Sequence, residues 1–488
     1  MALKTKNHPA ARRSAALIAA SALALLAGCA VGPDYKRPAL ATPAAFKENP
    51  GWKAATPADG LKKGPWWEVF NDPVLDGLES QVDSANFTVA EAAANYEEAR
   101  QIARADRTGY LPTVGVLGSG QRSKTPQVAS ATGRGITANS FTAEGQASWQ
   151  PDFWGKLRRL VESDVATAQA SAADLAAARL STEGSLATDY IELRSADDQI
   201  RLLENAVEAY RRTLSITKNK YSVGVSARSD VITAQTELDS TRAQLIGVGV
   251  QRAQFEHAIA VLLGKAPADF SIARRRDLGL AVPALPPLLP SSLLERRPDI
   301  AAAERAAAAA NAKIGIQTAA YYPAFSISGA AGYEGDPLNQ LISAPFSFWT
   351  LGAQATDTIL DWGQRHDLVR SARATYEATA DNYRQVVLTA FQQVEDNLAE
   401  VRILADESQV EREAVAEAQQ AAQIALNEYN AGTVDFTTVV AAQVTELTNR
   451  ETALNINESE LTSSVALIQA LGGGWTTGDL PKPSQVVH

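Results

Sequence analysis

Two spacings of apolar residues alternate along this chain, and each marks a different kind of element. From near Pro73 through Ala85 to Thr108, Val89, Ala92, Ala93, Tyr96, Ala99 and Ala103 recur every three or four residues, the spacing of a helix face. Tyr110-Leu111-Pro112 stops that pattern and period two takes over. From Phe141 to Gln150, Phe, Ala, Gly, Ala and Trp fall on one face and Thr, Glu, Gln, Ser and Gln on the other. This is the apolar-out, polar-in alternation of a transmembrane strand of about 9–11 residues. Val114 to Gly120 is a weaker partner, so a hairpin is expected over about 113–150. The design recurs at Phe325, Ile327, Gly329, Ala331 and Tyr333, and at Trp349, Leu351, Ala353, Ala355 and Ile359, a second hairpin over about 324–359. A soluble hairpin packed on a core would alternate in the same way. Aromatics near the strand ends, Trp149, Phe153, Trp154, Tyr333, Trp349 and Trp362, fit girdles at a membrane interface instead.

A long helical stretch follows each hairpin. No proline falls between Pro151 and Pro267 or between Pro345 and Pro481, gaps of 115 and 135 residues. Lys156 to Tyr221 carries alanines every three or four residues, and a helix of that length spans on the order of 100 Å. Gly224 follows as a C-cap, and Ser226 or Ser229 is placed to cap a returning helix that ends at Leu263. The second half repeats this: a helix from about Asp367 to Asn430, then Gly432, then a helix from near Thr433 or Asp435 to Leu471-Gly472. Small residues on long helices allow close packing, so both stretches read as antiparallel coiled-coil hairpins, over 156–264 and 366–471.

The halves are related by a constant offset of 208 residues, which pairs Trp154 with Trp362, Gly155 with Gly363, Leu263 with Leu471 and Gly264 with Gly472. Tyr221/Tyr429, Gly224/Gly432, Val231/Val439, Ala234/Ala442, Gln235/Gln443 and Arg242/Arg450 match at the same offset. An internal duplication follows, each unit being helix, strand hairpin, long helix, tip turn and returning helix. The units run over 74–264 and 291–472, with a linker at 265–290, an extended Pro-, Gly- and Trp-rich arm at 29–73 and a tail at 473–488. Trp52, Trp66 and Trp67 are placed to hold the arm against another surface.

Composition narrows the chemistry. The net charge of -10 argues against nucleic acid as a partner. The four histidines, His8, His257, His366 and His488, are far apart in sequence, and no metal-protease, nucleophile-elbow or Walker motif is present, so neither a catalytic nor a metal site is expected. The lone cysteine excludes an intramolecular disulfide. Lys4, Lys6, Arg12 and Arg13 precede the apolar run Ala15 to Ala27, a secretory leader at 1–28. Leu26-Ala27-Gly28-Cys29 resembles a bacterial lipobox, which implies a covalent lipid on Cys29 as the first mature residue and no other cofactor. Ala30 rather than Asp follows, and by the same resemblance nothing retains the protein in the inner membrane.

Four strands cannot close a barrel, and an open sheet edge in lipid leaves backbone groups unsatisfied at several kcal/mol each. The chain must therefore oligomerise. Two copies would give a side-chain-filled barrel, whereas three begin to leave a lumen, which suits the polar Glu144, Gln146 and Ser148.

Several ordered strings carry a resemblance. Cys29 with Val31 to Pro38, Asp152-Phe153-Trp154-Gly155, Leu262-Leu263-Gly264, Leu294 to Ile300 with Glu304, and Tyr429 to Phe436 resemble the TolC-like outer-membrane factors, in particular the NodT/OprM-like lipoproteins of resistance-nodulation-division efflux systems. The resemblance implies a mainly helical homotrimer with a shared twelve-stranded outer-membrane barrel, a long periplasmic helical barrel and a mixed equatorial belt. The belt would draw on the arm, the linker and the tail. It further implies the exit duct of a tripartite pump, partnered by a periplasmic adaptor and an inner-membrane transporter and lipid-anchored in the outer membrane. The helix tips, Tyr221 to Gly224 and Tyr429 to Gly432, would converge as a periplasmic gate. There Asp230 and Asp435 would each form a carboxylate ring in a trimer, unless they are ordinary acids at helix N-termini. Many relatives place gating aspartates where this chain has Thr438 and Ala441, so tyrosine contacts and packing could close the gate instead. The same fold could serve type I secretion or metal efflux. A lipid-anchored periplasmic coiled coil without a pore is the remaining alternative.

Overall fold

A computed structural model describes residues 30–41, 43, 45–48, 65–126, 135–275, 282–283 and 295–487. The leader, Cys29 and Trp52 lie outside the described residues, as does most of the linker beyond residue 275. In chain order the elements are α1 (Pro73–Ala85), α2 (Phe87–Arg107), β1 (Thr113–Thr125), β2 (Ile136–Trp149), α3 (Lys156–Ser222), α4 (Arg228–Leu262), α5 (Pro298–Ala319), β3 (Ala324–Gly335), β4 (Ser347–Thr356), α6 (Gln364–Ala431), α7 (Phe436–Ala470) and α8 (Pro483–Val487). The chain is thus mainly helical with one antiparallel sheet, ordered β1-β2-β3-β4. β1 begins where expected but runs on to Thr125, and β4 stops at Thr356, which leaves Ile359 outside the strand.

The two long helices have 67 and 68 residues, about 100 Å each at 1.5 Å per residue. Their returning partners have only 35 residues, so each returns about halfway. The remaining half is filled from elsewhere in the chain. α2 packs beside α3 above the end of α4, and α5 packs between α3 and α6 above the end of α7.

The joints are made by side chains. Asn86 caps α2, its Oδ1 accepting from Thr88 N and Val89 N, and its Nδ2 donates 2.8 Å to the Leu262 carbonyl at the end of α4. Arg297 precedes α5 and donates 3.0 Å to the Ala470 carbonyl at the end of α7. Carbonyls at helix ends lack intrahelical donors, so each joint supplies one. The glycines paired by the repeat sit at these joints. A Cβ on Gly264 would lie 2.4 Å from the Ala85 carbonyl oxygen, and one on Gly472 would lie 2.0 Å from that of Arg296. The expected single helix from Pro73 to Thr108 is therefore broken at Asn86, because Asn86 ends α1, caps α2 and splices α2 to α4.

The belt-level core surrounds the middle of α3. Trp66, Phe70, Leu75, Val82, Leu186, Tyr190 and Ile191 are buried with Ile259, Leu461 and Val465. An ionic network fastens the linker to it. Asp197 accepts from Arg194 (3.0 Å), Arg252 (2.7 Å) and the Arg275 backbone N (3.2 Å). Asp72 accepts from Val74 N, Leu75 N, Tyr190 Oη and Arg275. Burial alone would raise the Asp72 carboxyl, but the Tyr190 and Val74 hydrogen bonds and Arg275 outweigh it and hold it below the usual range. The arm lies along the second half, with Tyr35 Oη on Glu304 and Lys47 N and Glu48 N on Glu395. The tail does not stay at the belt. It climbs α3 from Trp475, beside Leu180 and Glu183, to Val487, whose carbonyl accepts from Arg107 near the sheet.

Candidate functional site

The strand register sorts the sheet into two chemically distinct faces. Val114 and Val116 of β1 share a face with Phe141, Ala143, Ala147 and Trp149 of β2, Ile327, Ala331 and Tyr333 of β3, and Trp349, Leu351 and Ala353 of β4. The opposite face carries Ser119, Thr142, Glu144, Gln146, Ser148, Ser326, Ser328, Thr350 and Gln354. On the apolar face Val116 is 89% exposed, Trp349 77% and Leu351 75%. Away from the foot of the sheet, these side chains lie bare rather than packed on a core among the described residues. β1 and β4 each present one edge that no described strand pairs.

Aromatics gather at the foot of the sheet. Trp149 donates 3.1 Å to the Tyr110 carbonyl. Trp154 donates 2.8 Å to the Pro323 carbonyl and stacks on Tyr322 at 4.8 Å, and Phe153 meets Phe325 edge-on at 5.0 Å. Trp362, at the matching place in the other half, has φ +56° and is 89% exposed. Tyr322 had no periodic signal to single it out, because it lies in the turn between α5 and β3. The start of the described chain lies at this same foot: Val31 N donates 3.0 Å to the Trp154 carbonyl, and a Cβ on Gly155 would lie 2.6 Å from the Ala30 Cα.

The far ends of α3 and α6 form the second site. Gly224 and Gly432 take left-handed φ values of +79° and +80° at the two tip turns, the backbone that favours glycine. Tyr429 is buried, packs 5.4 Å from Phe436 and belongs to a cluster with Tyr210, Leu214, Leu238 and Val439 from both hairpins. Lys220 joins the hairpins, with its ammonium 3.8 Å from the centroid of the Tyr429 ring and donating to the Tyr429 carbonyl. Ser226 Oγ lies 3.3 Å from Tyr429 Oη. Sequence reasoning passed over Lys220, whose only signal was its place one residue before Tyr221. Tyr221 itself is exposed.

The two aspartates part company. Asp230 accepts from Ala227 N (3.1 Å) and Ser226 Oγ (2.7 Å) and lies 3.4 Å from Ser229 Oγ. It thus caps α4 from the third helical position, and the serines expected to cap the helix donate to it instead. Asp435 is the residue preceding α7, is exposed, and accepts no capping hydrogen bond through its side chain. Asp230 is thus held within its own chain, whereas the Asp435 carboxylate makes no capping contact. Among the described residues no helix is long and apolar enough to cross a membrane, and no group of three or more His, Cys, Asp or Glu side chains is placed to hold a metal ion.

A sheet with one bare apolar face, leading through α3 and α6 into helical hairpins, is the design of an outer-membrane channel subunit. The chain belongs to the outer membrane efflux protein family, whose model matches residues 78–265 and 289–473. It is 29% identical over 454 residues to the probable efflux pump outer membrane protein TtgC of Pseudomonas putida, covering 92% of this chain and 94% of that one. It is 28% identical over 453 residues to the cation efflux system protein CusC of Escherichia coli, covering 92% and 96%. The solved outer-membrane channel OprN superposes with a TM-score of 0.86 at 28% identity, covering 92% of this chain and all of that one. The protein is an outer-membrane efflux component, a role in transport rather than catalysis.

Proposed function

We propose that the chain is the passive exit duct of a tripartite pump, acting as a homotrimer. Four strands from each of three copies would pair through the free edges of β1 and β4 into one twelve-stranded barrel. The carrying observation is the sheet, with its apolar face bare, its polar face opposite and both outer edges unpaired, continuous with helices of about 100 Å. The polar face would line the lumen, and Trp149, Phe153, Trp154, Tyr333, Trp349 and Trp362 would sit at the membrane interfaces. The position of Ala30 beside Gly155 at the foot of the sheet supports a lipid on Cys29 that enters the adjacent leaflet. The matching splices at Gly264 and Gly472 support a duplicated unit.

An inner-membrane transporter would supply the energy and a periplasmic adaptor would dock at the tips, where Tyr221, Gly224, Tyr429 and Gly432 mark the gate. Lys220 and the Tyr429 cluster would hold the tips closed, and Asp435 would set a cation preference at the mouth. We assign small amphipathic compounds as cargo. Relatives named for toluene efflux and for cation efflux stand at nearly equal identity, 29% and 28%, so metal export is the second reading.

The protein extracted from outer membranes should run as a heat-modifiable trimer and conduct in planar bilayers, and its deletion should sensitise cells to amphipathic drugs. Sensitisation to metal ions alone would establish the second reading. A monomer with no conductance would leave only the lipid-anchored coiled coil.

A further inference from the structure

The two long helices begin alike, but only one of the two beginnings is complete. Before α3, Asp152 accepts from Leu157 N (3.1 Å) and Arg158 N (2.9 Å). Before α6, Asp361 accepts from Gly363 N (3.1 Å) and Arg365 N (3.2 Å). Each cap leads to a tryptophan followed by a left-handed glycine: Trp154 before Gly155 (φ +79°) and Trp362 before Gly363 (φ +93°), matched at the 208-residue offset. Trp154 reaches from one half of the chain to the other. Its ring stacks on Tyr322 at 4.8 Å and its Nε1 donates 2.8 Å to the Pro323 carbonyl, both in the turn that enters β3.

Trp362 has no such seat. It is 89% exposed, and among the described residues its ring has no stacking partner and its indole nitrogen no acceptor. Its φ of +56° is an uncommon backbone for a bulky residue, fixed by the Asp361 cap that closes over it. The turn of its own half is already held by another side chain, since Arg365 donates 3.3 Å to the Ala320 carbonyl and lies 5.4 Å from the centroid of the Tyr321 ring. The turn that enters β1 has the converse defect. Tyr110-Leu111-Pro112 matches Tyr321-Tyr322-Pro323 at an offset of 211, so Leu111 stands where Tyr322 stands in the other half, and Leu111 is 68% exposed. One half thus has a ring without a seat and the other a seat without a ring. They cannot meet within one chain, because β1 and β4 are the outer strands of the sheet, three strand spacings or about 14 Å apart.

We infer that Trp362 seats on the β1 entry turn of a second copy of this chain, its ring over Leu111 and its indole N–H donating to the Pro112 carbonyl. Each seam at the foot of the barrel then repeats between subunits the contact that Trp154 makes inside one. The inference rests on the trimeric duct proposed above, because pairing β4 with β1 of the next copy is what brings the two turns together. A tryptophan suits the place, having an apolar face to bury and one donor to satisfy. The seat keeps Trp362 at the membrane interface but turns its ring to protein, as Trp154 does at the same foot of the sheet. The contact exists only in the assembly, so it acts on association and not on the folding of a chain.

The test uses the full-length protein extracted from outer membranes with Trp362 replaced by the photocrosslinker p-benzoylphenylalanine. Irradiation should give covalently linked pairs and triples of chains on heated gels, and the linked peptide should contain Leu111. Without crosslinking, Trp362→Ala trimers should dissociate in detergent about tenfold faster than wild type, the effect of losing one interface hot spot, with unchanged circular dichroism. Leu111→Ala should act in the same direction, and the double variant should add little to Trp362→Ala alone, because both remove one contact. A photoproduct with lipid only or within one chain, wild-type dissociation of Trp362→Ala, or additive effects in the double variant would overturn the contact while a heat-stable trimer left the duct standing. Absence of any trimer would remove both.

Discussion

Replacing Lys220 by Met keeps the aliphatic stem and removes the ammonium that joins the two hairpin tips. That ammonium makes two contacts with one residue of the other hairpin: 3.8 Å to the centroid of the Tyr429 ring and a hydrogen bond to its carbonyl. In the gate proposed above, opening would part the hairpins, and parting them would break both contacts. The ring contact is worth about 1 kcal/mol and the charged hydrogen bond about 1.5, and because the tip is half-open to water a total of about 2 kcal/mol is appropriate. At about 1.4 kcal/mol per decade, the open-to-closed ratio should rise about 30-fold. The assay is single-channel recording in planar bilayers, with drug leakage into cells as the second readout. Lys220→Arg, which keeps a cation over the ring, should stay near wild type. A double-mutant cycle with Tyr429→Leu should be non-additive, since either change removes the same pair. An open fraction for Lys220→Met equal to wild type, with additive effects in the cycle, would falsify the latch and move gating to apolar packing alone.

Other outcomes follow from the same geometry. Asp435→Asn should reduce cation preference in reversal-potential measurements without changing thermal stability. Asp230→Ala should do the reverse, losing about 1 kcal/mol as α4 loses its cap while ion preference is retained. Val116→Arg places a charge on the bare sheet face, and at a cost of about 2–4 kcal/mol near the membrane midplane it should deplete the heat-stable trimer on gels. Glu79 carries a proton in the folded state up to about pH 10 but releases it above about 4.5 when unfolded. Between those values stability should therefore fall as pH rises, by up to about 1.4 kcal/mol per unit. The melting temperature should be higher at about pH 6 than at about pH 8, and Glu79→Gln should flatten the difference.

The elements governed by local repetition were legible in the chain. Alternation from Phe141 to Trp149 specified the faces that the register confirms, and the tip glycines specified the two turns. What escaped was decided by contacts distant in sequence. Asn86 reads as an ordinary residue inside a helical pattern until Leu262, 176 residues on, supplies the carbonyl that its amide reaches. Asp230 reads as a pore acid because nothing in its spacing says that Ser226 turns back to it. Glu79 did leave a trace: it shares the stripe of Leu75 and Val82, four residues and three residues away, a position where a carboxylate belongs to the core. Lys220 left none, since a contact between a lysine and a ring 209 residues away exists only once the two tips are side by side.

The joints at Asn86 and Arg297 give each half of the molecule one unbroken strut and one strut made of two pieces butted together. A continuous helix transmits compression and twist from the membrane to the tip. A butted pair transmits compression but yields more readily to bending, because side-chain hydrogen bonds and apolar packing, rather than a helical backbone ladder, join the pieces. Both joints adjoin the belt-level core, where the Asp72 and Asp197 network wraps the first of them like a splint. The lower hairpins can therefore swing as short levers about a stiffened collar, while the portion nearer the sheet, and the seal it makes with lipid, keeps its shape.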